Sequence, residues 1–173
     1  MHRESSKHFI KLGKVLLMTF FLIFIINKLI FTTSQVIGDS MSPTIEDEQW
    51  IITNRLSYTF NQPSRGDVIV IELENKTLVK RVIGLPNETI EIIDQQLYID
   101  GIPYAQTFIT DADSFRTHDV PATEIPDHTY YVIGDNRRTS RDSRNELGFI
   151  DEADIVGRAE FIIYPFSDWQ VIY

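Results

Sequence analysis

Hydrophobic positions fall into two regimes along the chain. From Val15 the sequence reads VLLMTFFLIFII, breaks at Asn27-Lys28 and resumes with Leu29-Ile30-Phe31. The run is apolar on every helical face rather than striped, the pattern of a helix surrounded by lipid. A bilayer-spanning helix needs about 20 residues. Counting through Phe31, with Lys28 extending its amine toward the interface, brings the stretch near that length. Beyond it the period shortens to that of strands. Gln49–Thr53, Asp67–Glu72 and Thr77–Ile83 are β-branched runs bounded by turn residues. ETIEIIDQQLYIDG, from Glu88 to Gly101, reads as two short strands about a polar turn. Residues 103–129, rich in Asp, Thr and Pro, read as an irregular insertion, after which Thr129–Ile133 and Gly157–Tyr164 resume strand character. The expectation is a mostly β domain behind one N-terminal transmembrane helix.

Charge orients this arrangement. Arg3, Lys7, Lys11 and Lys14 precede the apolar run, against the single acid Glu4. The positive-inside rule then places residues 1–14 in the cytoplasm, 15–31 across the membrane and 32–173 outside it. A cleavable signal peptide is the competing reading. It is disfavoured because Thr32-Thr33-Ser34-Gln35 offers no Ala-x-Ala-like cut. The net charge of −9 argues against a nucleic-acid partner. Absence of cysteine excludes a thiol nucleophile and thiolate metal sites, and His2, His8, His118 and His128 show no metal-ligand spacing. No metal or cofactor is expected.

Three polar segments carry candidate chemistry. Gly38-Asp39-Ser40-Met41-Ser42-Pro43-Thr44 is a tight turn, and composition alone makes Ser40 a turn serine. In Leu78-Val79-Lys80-Arg81-Val82-Ile83 the strand alternation puts Lys80 and Arg81 on opposite faces, so one cation points toward apolar neighbours. If that cation is Lys80, desolvation lowers its pKa and a neutral amine can take a proton from a serine. If the strand lies at an edge, both heads are solvated. The third segment, Gly134 to Arg144, packs four arginines with Asp135 and Asp142. It suits an ion-paired support loop in which Asp142 and Arg144 brace each other, and equally a solvated loop that contacts anionic lipid or phosphate.

Together the blocks GDSMSPT, RGDVIVIE…LVKRVIGLPNETIEI and GDNRRTSRDSRNELGFI…IVGRAEFIIYPF resemble the signature segments of type I signal peptidases, in particular the short Gram-positive kind. The resemblance covers nearly all of residues 36–166. It implies a fold of coiled antiparallel sheets on the outer membrane face, and a serine endopeptidase that cuts signal peptides after small residues in an Ala-x-Ala-like pattern. By the same resemblance Ser40 is the nucleophile and Lys80 the general base. Ser140 orients the lysine amine, Asp142 and Arg144 form a supporting ion pair, and Met41 lines the substrate site. Gram-negative members often place a serine two residues before the nucleophile, where its hydroxyl joins the oxyanion hole. Gly38 stands there in this chain, which leaves the Ser40 amide as donor. Arg138-Thr139 replaces a usual Asp-Asn pair. The implied partners are signal peptides of exported preproteins, the bilayer and the neighbourhood of the secretion translocon.

Self-cleaving repressors share a Ser–Lys dyad, but carry a helix-turn-helix that is absent here. An idle membrane-tethered binding module is the reading from another class, and it is disfavoured because Ser40 and Lys80 are both present. A Ser-His-Asp hydrolase using His118-Asp119 fails because that pair lies in the irregular insertion.

Overall fold

The computed structural model describes residues 2–108 and 117–172, and within the first helix the side chains of 11–26 and Ile30. That helix, α1 (His2–Ile30), runs unbroken through the basic tail and the apolar segment. The side chains of Arg3, Lys7 and Lys28 lie outside the described residues. The described apolar side chains of α1 are exposed from Leu12 to Ile26, Met18 at 77 %. Thr19 Oγ1 donates back to the Val15 carbonyl at 2.9 Å, which satisfies the hydroxyl within the helix. Among the described residues no helix is long and apolar enough to cross a membrane.

Phe31 does not extend the helix. It opens β1 (Phe31–Gln35), which pairs antiparallel with β2 (Trp50–Asn54), Phe31 opposite Asn54. Arg55 N–H donates to the Ile30 carbonyl at 2.8 Å and takes up an acceptor freed at the helix end. Backbone pairing with β2 therefore captures a residue that hydropathy alone assigns to the anchor.

The remaining strands are β3 (Val68–Leu73), β4 (Lys76–Gly84), β5 (Thr89–Ile93), β6 (Gln96–Ile99), β7 (Ile102–Pro103), β8 (Val120–Glu124), β9 (Thr129–Ile133), β10 (Ile150–Asp151), β11 (Ile155–Tyr164) and β12 (Gln170–Val171). A larger sheet runs β1-β2-β11-β3-β4-β9-β10, with β12 added to β11, and a smaller one runs β7-β6-β5-β8. Neighbouring strands pair antiparallel in both sheets. The mostly β architecture expected from the alternation is the one observed.

Strand β3 is buried on both faces. Val68 and Val70 enter one cluster with Met41, Ile45, Ile51 and Ile162, while Ile69 and Ile71 enter another with Val82, Tyr130 and Val132. A third cluster joins the sheets, packing Ile83, Tyr131 and Ile133 against Ile90, Ile92, Leu97 and Val120. The segment expected to be irregular, 103–129, is less so. Residues 109–116 lie outside the described residues, but Val120–Glu124 forms β8 against β5. Pro121 hid this strand from the sequence pattern, and an edge position tolerates its missing N–H.

Ile162 on β11 is fully buried opposite Ile51. Ile162→Ala is expected to lower unfolding free energy by about 2–5 kcal/mol, measured by chemical denaturation of the full chain.

Candidate active site

The turn that carries Ser40 is shaped by its neighbours. Gly38 adopts φ +97°, a left-handed conformation that strains any side-chain-bearing residue, and its N–H donates to Asp47 Oδ1 at 2.7 Å. Ser42 N–H returns to the Asp39 carbonyl at 3.1 Å, and Ile45 N–H to that of Met41 at 3.0 Å. Met41 and Ile45 are fully buried in the first cluster and pin the loop, leaving Ser40 partly exposed. The apolar side chain of Met41 is turned into this cluster and anchors the turn.

Lys80 sits in β4 opposite Ile69, only 2 % exposed. Its Nζ donates to Ser40 Oγ at 2.9 Å and to the Val79 carbonyl at 2.9 Å. Burial lowers its pKa from 10.5 to about 8, with Lys76 acting in the same direction and Asp142 and Asp135 opposing. The sequence pattern requires one inward cation at positions 80–81, and the structure buries both. Arg81 is fully buried, with Nε and Nη2 on the two oxygens of Asp135 at 2.9 and 2.6 Å. Its Nη1 donates to the Gly66 carbonyl at 2.6 Å, and its guanidinium lies 4.7 Å over the Phe108 ring. Thr44 Oγ1 donates to Asp135 Oδ2 at 2.5 Å, so one carboxylate links β4 to the Ser40 turn.

The third segment follows β9 and wraps over the dyad. Asn136 N–H donates to the Ser40 carbonyl at 3.1 Å. Asp142 and Arg144 do brace each other, through Nε–Oδ1 and Nη2–Oδ2 bonds of 2.8 Å each, both side chains buried. Asp142 Oδ2 also accepts from Gly134 N–H at 3.0 Å. Burial alone raises the Asp142 pKa, but the hydrogen bonds and charge of Arg144 outweigh it and hold the carboxyl below its ordinary range.

Ser140 is buried, with its Oγ close enough to Asp142 to favour the charged carboxylate, and makes no hydrogen bond to Lys80. The side chain is turned onto Gly134, where an added Cβ would collide with Ser140 Oγ and with the Ser40 carbonyl oxygen. Glycine at 134 is thus required by close approach between the two loops.

Several contributors escape a reading of the sequence. Thr44, and Gln106 whose Oε1 accepts from the buried Arg137, carry no signal of their own. Asp135 has one in hindsight, because a buried Arg81 demands a carboxylate. Among the described residues no group of three or more His, Asp or Glu side chains is placed to hold a metal ion. The assembled site is a hydroxyl beside an amine of lowered pKa, flanked by carboxylates already committed to arginines. Such a pair can exchange a proton near neutral pH.

The known proteins that this chain is similar to are peptidases. The family model described as "Signal peptidase, peptidase S26" matches residues 9–164. Signal peptidase I S of Bacillus subtilis is 34 % identical over 175 residues, covering 96 % of this chain and 95 % of that protein. Signal peptidase IB of Staphylococcus aureus is 35 % identical, covering 87 % of each chain. The crystal structure of a signal peptidase I from Enterococcus faecalis superposes with a TM-score of 0.50 at 31 % identity, covering 57 % of this chain and 97 % of that one.

The lowered Lys80 pKa has a stability consequence of definite sign. The folded value of about 8 lies below the ordinary 10.5, so the unfolded chain binds more protons between those limits. Lys80→Met is expected to stabilise the protein by roughly 3 kcal/mol below pH 8. The gain should shrink as pH rises and vanish above about 10.5. Denaturation midpoints across that range, read by circular dichroism, measure it.

Proposed function

The chain belongs to the signal peptidase family, peptidase S26, and from that premise we propose that it removes N-terminal signal peptides from exported preproteins by Ser–Lys catalysis. The observation that carries this reading is the 2.9 Å separation of the buried Lys80 Nζ from the partly exposed Ser40 Oγ. With the amine neutral the hydrogen bond reverses, and the Ser40 hydroxyl donates to Nζ. Ser40 Oγ then attacks the scissile carbonyl as Lys80 takes its proton. Lys80 returns that proton to the leaving amine, and in the second half-reaction draws one from the water that releases the acyl group.

The Ser40 amide makes no hydrogen bond among the described residues and is available to the oxyanion. The Gly38 amide is occupied by Asp47, so position 38 contributes neither a side-chain nor a backbone donor. Ser140, Asp142 and Arg144 act at one remove in this mechanism: Asp142 fixes the loop through Gly134 and Arg144, and Ser140 fills the space behind Gly134. Small residues at the −1 and −3 positions of the substrate complete the reading.

The same proposal assigns residues 1–14 to the cytoplasmic side, the apolar segment 15–31 to a single-pass anchor and 32–173 to an extracytoplasmic catalytic domain, near the secretion translocon. Its supports are the basic residues ahead of the apolar run and the uncovered apolar surface of α1 from Leu12 to Ile26.

Membranes containing the intact chain are expected to cleave a preprotein, with Ser40→Ala and Lys80→Ala both inactive. Lys80→Arg should also be inactive, because arginine retains its proton. Activity equal to the parent in any of the three rejects the dyad. The neutral fraction of Lys80 grows as pH rises through about 8, so kcat/KM should fall about tenfold per unit below that midpoint. A pH-rate profile flat across that range contradicts a lysine base. Protease added outside intact cells should digest residues beyond the anchor, and protection that persists without lysis reverses the topology.

A further inference from the structure

Beside the catalytic loop the buried charges do not balance. Arg81 takes both oxygens of Asp135, and Arg144 takes both oxygens of Asp142. Arg137 is buried with them, at 4 % exposure, yet bonds only neutral oxygens: the Gly134 carbonyl through Nε and Gln106 Oε1 through Nη2. No carboxylate pairs with it among the described residues, and its Nη1 has no protein partner there. Burial and the repulsion of Arg144 lower its pKa from 12.5 to about 10, against the attraction of Asp135 and Asp142, whose oxygens are bonded to the other two arginines. A buried cation with no carboxylate of its own favours an anion at its open face.

That anion has a place to sit. Arg137 lines an open cleft of about 740 Å³ together with Gln95, Thr117, His118 and Arg138. Among the described residues no acidic side chain lines it. Thr117 Oγ1 accepts from Arg144 Nη1 at 2.7 Å and donates to the His118 carbonyl at 3.2 Å, so it borders the cleft without a hydrogen to spare. The remaining N–H groups of Arg137, the guanidinium of Arg138 and the Gln95 amide offer more donors than a planar carboxylate accepts at once, whereas a phosphate group presents several acceptor oxygens. The cleft also abuts the nucleophile turn. Arg137 and Arg138 lie between Asn136, whose N–H meets the Ser40 carbonyl at 3.1 Å, and Thr139, whose Oγ1 lies 3.4 Å from Asp39 Oδ1.

We propose that this cleft binds a phosphate-bearing anion, free phosphate or a phospholipid headgroup, with Arg137 as the buried fork and Arg138 as the second cation. The inference stands apart from the Ser40–Lys80 mechanism, because its readout is binding rather than cleavage.

The test uses the full chain in maltoside detergent, titrated with inorganic phosphate at constant ionic strength and followed by phosphorus NMR line broadening and by thermal upshift. Saturable binding is expected, weakened about tenfold by Arg138→Gln and about as much by Arg137→Lys, which keeps the charge but loses the fork. Should Arg137→Lys not fold, Gln95→Leu, which removes the amide donor at the cleft edge, takes its place. Absence of saturable binding overturns the proposal, as does affinity equal in the parent and Arg138→Gln. Acetate competing better than phosphate also overturns it and reassigns the cleft to peptide carboxylates. Nanodiscs separate the two supporting sources. Phosphatidylglycerol that suppresses inorganic phosphate binding, relative to phosphatidylcholine alone, identifies a lipid headgroup, and unchanged binding identifies free phosphate.

Discussion

The structure depends on burying a lysine among carboxylates without letting them hold its proton. Asp135 and Asp142 both raise the Lys80 pKa, and both are indispensable to the loops around it. The conflict is resolved by giving each carboxylate a bidentate arginine, Arg81 and Arg144 respectively. An arginine cannot release its proton at any relevant pH, so each pair stays internally neutralised while desolvation dominates at Lys80. One set of ion pairs therefore serves architecture and acid–base chemistry together. Asp135 ties β4 to the Ser40 turn through Thr44, and Asp142 ties the start of its own loop through Gly134.

Much of the fold was legible because strand alternation is a local signal. The runs around Ile51, Ile69, Leu78, Ile92 and Val132 all became strands, with boundaries displaced by a residue or so. The misses have physical causes. Strand β1 was masked by the adjoining apolar run, and β8 by Pro121 and an exposed pattern that buries little beyond Val120. Both lean on partners distant in sequence, and periodicity does not report partners.

The site divided in the same way. That a cation at 80–81 faces inward was readable from alternation, whereas the meeting of Asp142 and Arg144 was one of two evenly weighted readings of a charge-dense loop. The proximity of Ser40 to Lys80 across forty positions came from resemblance alone, since a turn serine carries no mark of its distant neighbour. Burial of Arg81 beside Lys80 went unread because its counter-ion, Asp135, arrives from another loop. Resemblance named Met41 and Ser140 but not their packing, one side chain lying in the core and the other on Gly134.

The junction at residues 30 and 31 has a mechanical consequence. Helix and sheet meet there with no linker, and the Arg55–Ile30 hydrogen bond clamps the joint. A protease on a flexible tether samples a hemisphere of heights and tilts above its anchor. Here the five residues of β1 act instead as a rigid spacer of about 17 Å, fixed in register against β2. The nucleophile turn follows directly, so its distance from the end of α1 is a ruler built into the sheet. Such a ruler holds Ser40 at one height above the helix end, so that changing the length or register of β1 would move the hydroxyl as a rigid step rather than loosen a tether.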